Sequence, residues 1–304
     1  MIGPLEKGVT KVVIFESLLL FQRFRDNETY LPKTSGRTIL QSVIYDTVGS
    51  NCDWWDGDAD TLTIATTSEI TAFAFDWKYL YAALTIPRSD ELKNAGEEAV
   101  FDLIAAKIQI AEMSLKRKLG IGLFSDGSTT PKSIIGLDGT IGDQTYGLTT
   151  YGGVARATYS WARSQLDATT TTLALQPMQS MYGLCTICSE KPTLIVGRQV
   201  MFNRFWNRLQ AQQRFEDKDT VSAGFTTLMF NGTPFVVDPN STANTLYYLN
   251  EKYLYLVYHQ DENFRFEDFA KPVDKGRSTA KIFWAGALVC SNPRMQGRFT
   301  ALTS

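Results

Sequence analysis

The sequence predicts an α+β fold, in which one long helix is combined with several antiparallel strands. A helical pattern follows Pro87, and about 30 residues at 1.5 Å each would span about 45 Å. The pair Asn231-Gly232 separates two strand-like segments, which is the strongest local signal for a β-hairpin. The residues after Leu246 alternate between apolar and polar side chains, a pattern that predicts several further strands.

Length and composition are sufficient for a large hydrophobic core. The chain has 304 residues, of which 44% are hydrophobic, and its net charge of -2 gives no general argument for nucleic-acid binding. The apolar segment from Val12 to Phe21 is interrupted by Glu16 and is too short to cross a bilayer. Residues Met1 to Val13 do not supply, in order, the basic start, uninterrupted apolar segment and small-residue cleavage site of a secretory signal. With four cysteines and no such signal, we expect a cytoplasmic product with reduced thiols.

The first part of the chain is expected to form an arm and then a long hairpin. Residues 1–38 combine a short helical pattern with a looser stretch around Pro32. The segment from Ile39 to Trp77 contains seven acidic residues and no lysine or arginine, which is a local charge of -7. Turn residues from Gly49 to Gly57 precede a strand pattern from Leu62 to Phe75. These features predict an acidic β-hairpin.

The long helix is bounded by residues that suit the helix dipole. Ser89 can cap its start, and acidic residues follow at once, whereas three basic residues from Lys116 to Lys118 lie near its end. Gly120 and Gly122 are expected to end the helix, and a glycine-rich stretch covers residues 125–153.

The next region alternates between helices and strands. Helical patterns run from Leu173 to about Ser189 and from Gln199 to Gln213, with a short apolar strand from Thr193 to Val196 between them. The hairpin around Asn231 then leads into the strand-rich end of the chain. Helices and strands therefore share this region, as an α+β fold requires.

Residues with the spacing of catalytic or metal sites are few. The only histidine, His259, lies in a tyrosine-rich strand pattern, which favours a structural role. Cys185 and Cys188 have zinc-like or redox-like spacing, but they lie in an apolar helical run without a second close pair. The arginines of the helix from Gln199 could contact phosphate or another subunit, although a solvated basic face is the simpler interpretation.

The acidic segment from Asp56 to Asp60 places a carboxylate at every second residue, like the start of a calcium loop. Thr61 stands at the glycine position of such a loop, and Thr67 stands where its bidentate glutamate would be. A solvated acidic tip is therefore the favoured interpretation. No phosphate-binding glycine motif is present in the sequence, and we expect no catalytic residue, metal or cofactor.

The C-terminal half contains distinctive segments. They are Gly224–Pro239 (GFTTLMFNGTPFVVDP), Tyr247–Tyr253 and Trp284–Gly297 (WAGALVCSNPRMQG). Together with the order of the elements over nearly the whole chain, they resemble the Hong Kong 97-like major capsid proteins of tailed bacteriophages. The resemblance implies an N-terminal arm at residues 1–38, an extended loop at 39–88, a peripheral domain with the spine helix at 89–124 and 265–304, and an axial domain at 125–264.

The resemblance implies a coat protein that assembles through pentamers and hexamers into an icosahedral head around double-stranded DNA. Its expected partners are copies of itself, a separate scaffolding protein and a portal, with room for a decoration protein and only weak, sequence-independent contact with DNA. Its expected location is the virion, after assembly in the host cytoplasm. Because the hairpin has no lysine before Lys78, covalent crosslinks from this loop are not expected.

Two alternatives remain open from the sequence. An encapsulin-like compartment shell shares the fold and differs in what it encloses. A carboxylate-based hydrolase could use a pair among Asp53, Asp56 and Asp58, although these acids lie in a turn-like stretch.

A hairpin that extends from the body buries little of its own surface, so we expect it to lie across a neighbouring copy. Residues 271–298 carry a local charge of +5 and could receive the acidic hairpin through contacts that weaken with salt. The candidate contact residues are Asp53, Trp54, Trp55, Asp56, Asp58 and Asp60 on the hairpin, and Lys271, Lys275, Arg277, Lys281, Arg294 and Arg298 on the basic segment.

Overall fold

Two β-sheets with flanking helices form the body of the described chain, which confirms the α+β class. The computed structural model describes residues 19–45, 51–54, 64, 68–93, 103–128, 130–212, 228–271 and 276–303. The helices are α1 Leu19–Asp26, α2 Arg88–Lys93, α3 Leu103–Leu123, α4 Leu137–Thr140, α5 Leu175–Leu184 and α6 Gln199–Gln212. The strands are β1 Tyr30–Lys33, β2 Thr38–Ile44, β3 Ile70–Asp76, β4 Lys78–Pro87, β5 Thr150–Tyr151, β6 Val154–Ala155, β7 Gln165–Asp167, β8 Leu194–Gly197, β9 Met229–Phe230, β10 Thr233–Val237, β11 Leu246–Leu249, β12 Leu254–Ala270, β13 Arg277–Cys290 and β14 Gly297–Phe299. None of the described helices is long and apolar enough to cross a membrane.

A four-stranded sheet in the order β1-β12-β13-β4 carries the long helix. β12 and β13 form one antiparallel hairpin, and β4 pairs antiparallel with β13 from Lys78 opposite Gly286 to Pro87 opposite Arg277. β1 pairs parallel with β12 at the other edge of the sheet, and an edge strand is where a proline such as Pro32 is tolerated. β4 therefore belongs to this sheet, and the expected extended loop of residues 39–88 is shorter than the resemblance implied.

The spine helix runs further than its glycines predicted. α3 continues to Leu123, so the expectation that Gly120 and Gly122 would end it is wrong. Leu119 and Leu123 are buried, and a Cβ at position 122 would come within 3.1 Å of the Ile134 side chain. This packing outweighs the cost of about 1 kcal/mol for a helical glycine. Residues 94–102, in the middle of the predicted helix, lie outside the described residues.

A six-stranded sheet in the order β7-β14-β11-β8-β10-β9 forms the second core together with α5 and α6. The helices, the strand before α6 and the hairpin were all predicted, although α5 ends at Leu184 and not near Ser189. Asn231 and Gly232 have φ angles of 50° and 77°, and two positive values are what a tight hairpin turn of this kind requires.

The expected domain boundary at residues 264/265 falls inside a continuous strand. β12 runs from Leu254 to Ala270 and pairs with β13 over most of that length. In contrast, β14 and Leu302 at the end of the chain belong to the six-stranded sheet and its core. The chain therefore crosses between the two cores near Leu254 and returns after Cys290.

A buried arginine organises the glycine-rich region. Arg156 has no exposed surface, and its guanidinium lies 4.8 Å from the ring centre of Tyr151. Burial lowers the pKa of Arg156 to about 10, so the group remains charged at neutral pH. In place of a carboxylate it contacts four backbone carbonyl oxygens, those of Gly139, Thr140, Leu148 and Ala162.

Replacing Arg156 by Met keeps the aliphatic volume and removes every donor. We expect Arg156→Met to lower the free energy of unfolding by at least about 3 kcal/mol, because buried carbonyls then lose their partner. Urea unfolding of the unassembled subunit, followed by tryptophan fluorescence, measures this. The exposed Arg294 provides the matched control Arg294→Met, with an expected change within about 0.5 kcal/mol. Equal stability of the two variants would contradict the role of Arg156.

Candidate functional site

The predicted hairpin is present as a two-stranded ribbon whose base is fixed in the chain's own core. β2 and β3 pair antiparallel from Thr38 opposite Asp76 to Ile44 opposite Ile70. On one face Phe73 and Phe75 are buried, with ring centres 5.3 and 5.0 Å from that of Tyr151.

One backbone hydrogen bond and one glycine also hold the base of the ribbon against the core. The amide of Ala74 donates to the carbonyl oxygen of Gly152 at 2.9 Å. Gly152 has a φ of +55°, and a Cβ there would lie 2.6 Å from the Cβ of Phe73. Glycine is therefore required at this position by both conformation and space. The base of the ribbon is held in one orientation.

The opposite side of the ribbon is apolar and exposed. Because side chains alternate along a strand, the residues between the buried ones face outward. Ile44 and Ile70 form a cross-strand pair at the outer end and are 74% and 67% exposed. We call this surface the ribbon face, and it consists of Leu40, Ser42, Ile44, Ile70, Ala72 and Ala74. Contiguous exposed apolar surface of this kind is typical of an interaction site.

Part of the acidic tip can be described. Asp53 is exposed and one of its carboxylate oxygens accepts a hydrogen bond from the amide of Trp54 at 2.8 Å. The Trp54 side chain is 98% exposed. Trp55, Asp56, Asp58 and Asp60 lie outside the described residues. Asp53 lines none of the described cavities, so the structure adds no support to a hydrolase that uses it.

A groove with aromatic walls and basic residues lies between β4 and α3. It has a volume of about 550 Å³. Tyr79 and Tyr81 are largely exposed there, although aromatic side chains of this size are usually buried. β4 is also an edge strand of its sheet, with backbone groups on one side that no described strand pairs. We call this surface the β4–α3 groove, lined by Lys78, Tyr79, Leu80, Tyr81, Lys118, Ile121 and Lys132.

Comparison with solved structures places this arrangement in a known architecture. The capsid asymmetric unit of cyanophage A-1(L) matches with a TM-score of 0.70 and 16% sequence identity over 91% of both chains. This chain has the Hong Kong 97-like capsid fold. The native GTA particle capsid shares it, with a TM-score of 0.66 and 10% identity over 99% of this chain and 95% of that one.

The same capsid fold occurs in the holo-SrpI encapsulin complex from Synechococcus elongatus. That match has a TM-score of 0.56 and 8% identity over 97% of this chain and 92% of the other. No protein-family model matches the sequence, and no curated protein sequence matches it either. The resemblance is therefore carried by the order and pairing of the elements, while the sequence itself has diverged widely.

Within the capsid fold, the predicted basic segment does not form one face. Arg277 is the first residue of β13 and Arg294 lies beyond its other end, in a turn at 293–295. The 14 residues of the strand between them span about 45 Å. Lys281 is paired with Glu267 of its own chain at 3.7 Å. Lys271 is exposed near the end of β12, and Lys275 lies outside the described residues. Closeness in sequence was a poor guide here because the described part of the segment runs along β13 and then into β14, which belongs to the other sheet.

Arg298, one of the candidate contact residues, is an interior residue and offers almost no surface to another copy. It is 6% exposed, and its guanidinium donates to Asp138 at 2.6 Å. The Tyr247 hydroxyl donates to the same carboxylate oxygen at 2.6 Å. Burial and the nearby carboxylate raise the pKa of Tyr247 well above its usual value. This group links α4 to the six-stranded sheet.

The two arginines in the described part of α6 donate hydrogen bonds to the chain's own backbone, Arg204 from a half-buried position and Arg208 from an exposed one. Arg204 donates to the carbonyl oxygens of Leu302 and Thr303 at 2.8 and 2.7 Å. Arg208 donates to the carbonyl oxygen of Leu173 at 3.1 Å. Their charges therefore fasten the C-terminus and the start of the α5 region to this helix.

The other sequence candidates lie in structural positions. His259 packs against Trp77 with ring centres 5.3 Å apart. Cys185 is buried in the second core, whereas Cys188 is exposed. Across the ranges that the structure describes, no three His, Cys, Asp or Glu residues form a group that could hold a metal ion.

The four thiols should differ in reactivity. Burial raises the pKa of Cys185 and Cys290 to about 12, so both stay protonated and shielded at pH 8. Cys52 and Cys188 are exposed. We expect a thiol reagent such as DTNB to label two cysteines per unassembled native subunit, and four after denaturation. Rapid labelling of a third thiol in the native protein would contradict the buried positions.

Proposed function

We propose that this chain is the major capsid protein of a tailed bacteriophage, which assembles through pentamers and hexamers into an icosahedral head around double-stranded DNA. The observation that carries the proposal is the ribbon, whose base is fixed in its own core while its outer face is apolar and exposed. An exposed two-stranded ribbon is marginally stable and prone to aggregation in an isolated subunit. In a closed symmetric shell each copy can cover the ribbon of the next.

The proposed acceptor on the neighbouring copy is the β4–α3 groove. Its tyrosines offer an apolar and aromatic wall for Trp54 and the ribbon face, and its lysines offer charges opposite to those of the acidic tip. Every copy carries both the ribbon and the groove, so the contact is head-to-tail and forms rings when the rotation between copies closes. The sheet end with Lys271, Arg277 and Lys281 is the second proposed acceptor, although Lys281 already has a carboxylate partner.

Recombinant expression tests the function directly. We expect the purified protein, alone or with a co-expressed scaffolding protein, to form closed shells that electron microscopy shows as uniform particles. A discrete small oligomer in light scattering under all these conditions would favour the hydrolase alternative. In this proposal the subunit resides in the virion after assembly in the host cytoplasm, with a portal and optionally a decoration protein as partners.

The match to an encapsulin structure supports a second candidate, a shell that encloses proteins. The contents of shells isolated from the native host distinguish the two functions. A phage head should contain double-stranded DNA, and its contact with this chain should be weak and insensitive to sequence. Protein cargo without nucleic acid would support the compartment shell.

Charge reversal tests the docking of the acidic tip. We expect the triple variant Asp56→Lys, Asp58→Lys, Asp60→Lys to reduce shell yield at least about tenfold while the subunit stays folded, because like charges then meet at the contact. Shell yield is measured by gradient sedimentation and folding by circular dichroism. The triple Asn variant keeps the shape and removes the charge, and it should give an intermediate yield.

Compensation identifies the acceptor. Lys118→Glu with Lys132→Glu should also reduce yield, and combining it with the reversed tip should restore shells. Lys191→Glu, at an exposed lysine away from the groove, is the control and should have no effect. If Lys271→Glu with Arg277→Glu restores assembly instead, the acceptor is the sheet end. Normal shells from the reversed tip alone would refute electrostatic docking.

A further inference from the structure

The outer edge of β4 carries amide groups that no described strand pairs. Arg88, directly after β4, donates its amide to the carbonyl oxygen of Gly276 at 3.1 Å, on the side of β13. Backbone groups alternate between the two sides of an antiparallel strand, so every second residue of β4 directs its amide away from β13. These residues are Tyr79, Tyr81, Ala83 and Thr85. They form an open edge at the side of the four-stranded sheet.

The helix α3 flanks this open edge with apolar and basic side chains. A second cavity, of about 290 Å³, continues the β4–α3 groove along the strand, and the two cavities share Tyr81 and Lys118. Ile110 and Ile121 line them from α3 and are 52% and 45% exposed. Several peptide-binding domains bind an extended segment at an exposed sheet edge, as an added strand. The β4–α3 groove has the form of such a site.

The groove is basic, whereas the ribbon is acidic. The described residues that line the two cavities include four lysines and no acidic residue, and the lysines are Lys78, Lys107, Lys118 and Lys132. The segment from Ile39 to Trp77, which contains the ribbon, has seven acidic residues and no lysine or arginine. The lengths also agree, because each ribbon strand has 7 residues and β4 has 10. Charge and length therefore favour the ribbon of a second copy as the added strand.

The two edges of the ribbon differ in what they already bind. Tyr45 donates its amide across the ribbon to Glu69 at 2.9 Å, so alternate amides of β2 point away from β3. They belong to Leu40, Ser42 and Ile44. On the opposite edge, the outward amide of Ala74 is bound to Gly152 of its own chain. β3 is thus tied to its own body at the base, whereas no described strand pairs with the outer side of β2.

We propose that β2 of one copy pairs with β4 of the next, so that the ribbon extends the neighbour's four-stranded sheet. This inference rests on the proposed shell and specifies how its copies are joined. Backbone pairing adds hydrogen bonds to the charge attraction and gives the contact a defined register. Two open strand edges, which favour aggregation of a free subunit, are then covered by each other. The added ribbon also covers the exposed flank of α3.

Proline at an outward position of β4 tests the pairing. Ala83 is exposed and its amide points away from β13, so Ala83→Pro removes no hydrogen bond of the subunit's own sheet. In gradient sedimentation, we expect Ala83→Pro to give at least about tenfold fewer shells than Ala83→Ser, which keeps the amide. Circular dichroism should show both subunits folded. Equal shell yields from the two variants would overturn the pairing and leave the capsid function standing.

The same substitution in the ribbon tests which strand pairs. Ser42 is exposed, and its outward amide takes no part in the pairing of β2 with β3. Ser42→Pro should therefore give at least about tenfold fewer shells than Ser42→Thr, with both subunits folded. The corresponding pair on the other edge is Ala72→Pro and Ala72→Ser. A larger loss of shells from proline at Ala72 than at Ser42 would overturn the assignment to β2.

Hydrogen–deuterium exchange at single-residue resolution tests the pairing without any substitution. We expect the amides of Ala83 and Ser42 to exchange at least about a hundredfold more slowly in particles than in subunits, whereas that of Leu84, which faces β13, is protected in both. Shells in which the Ala83 amide stays unprotected would refute strand pairing alone. Absence of shells, with or without a scaffolding protein, would refute the proposed function and the pairing with it.

Discussion

The structure depends on a ribbon that the described part of its own chain packs against at only one end. Near the body, Phe73 and Phe75 pack on Tyr151, and Ala74 is hydrogen-bonded to Gly152. Towards the outer end, no apolar side chain in the described part of the chain covers Ile44 and Ile70, which remain mostly exposed. A two-stranded ribbon needs a further strand or another packing partner to be stable. The fold is therefore consistent with a subunit that is completed by its neighbours.

A buried charge fixes the direction in which the ribbon leaves the body. Arg156 gathers carbonyl oxygens from the glycine-rich region and lies against the Tyr151 ring that receives the ribbon base. Gly152 tolerates no side chain beside Phe73, so the base of the ribbon is closely packed against this loop. Arg156 with its carbonyl partners, the Tyr151 ring and the base of the ribbon are thus packed together as one unit. In a shell, the angle of this unit would set where each ribbon reaches its neighbour.

Elements whose signals are local could be predicted from the sequence, whereas surfaces assembled from distant segments could not. The turn at Asn231-Gly232, the strand β8 and the start of α6 depend on neighbouring residues, and they were predicted from the sequence. Arg298 pairs with Asp138, 160 positions away, so its burial left no local signal. The β4–α3 groove likewise combines a strand, a helix and the loop around Lys132. The basic segment misled because its described charges are distributed over β13, the turn that follows it and β14, and these do not form one surface.

Hydrogen–deuterium exchange of the ribbon, compared between unassembled subunits and assembled particles, shows whether another copy covers its outer end. We expect amides near Ile44 and Ile70 to exchange rapidly in the subunit and to become protected in the particle, while those near Phe75 are protected in both. Equal, strong protection of the outer amides in the isolated subunit would show that the ribbon is stable alone. That result would contradict the view that another copy must cover it.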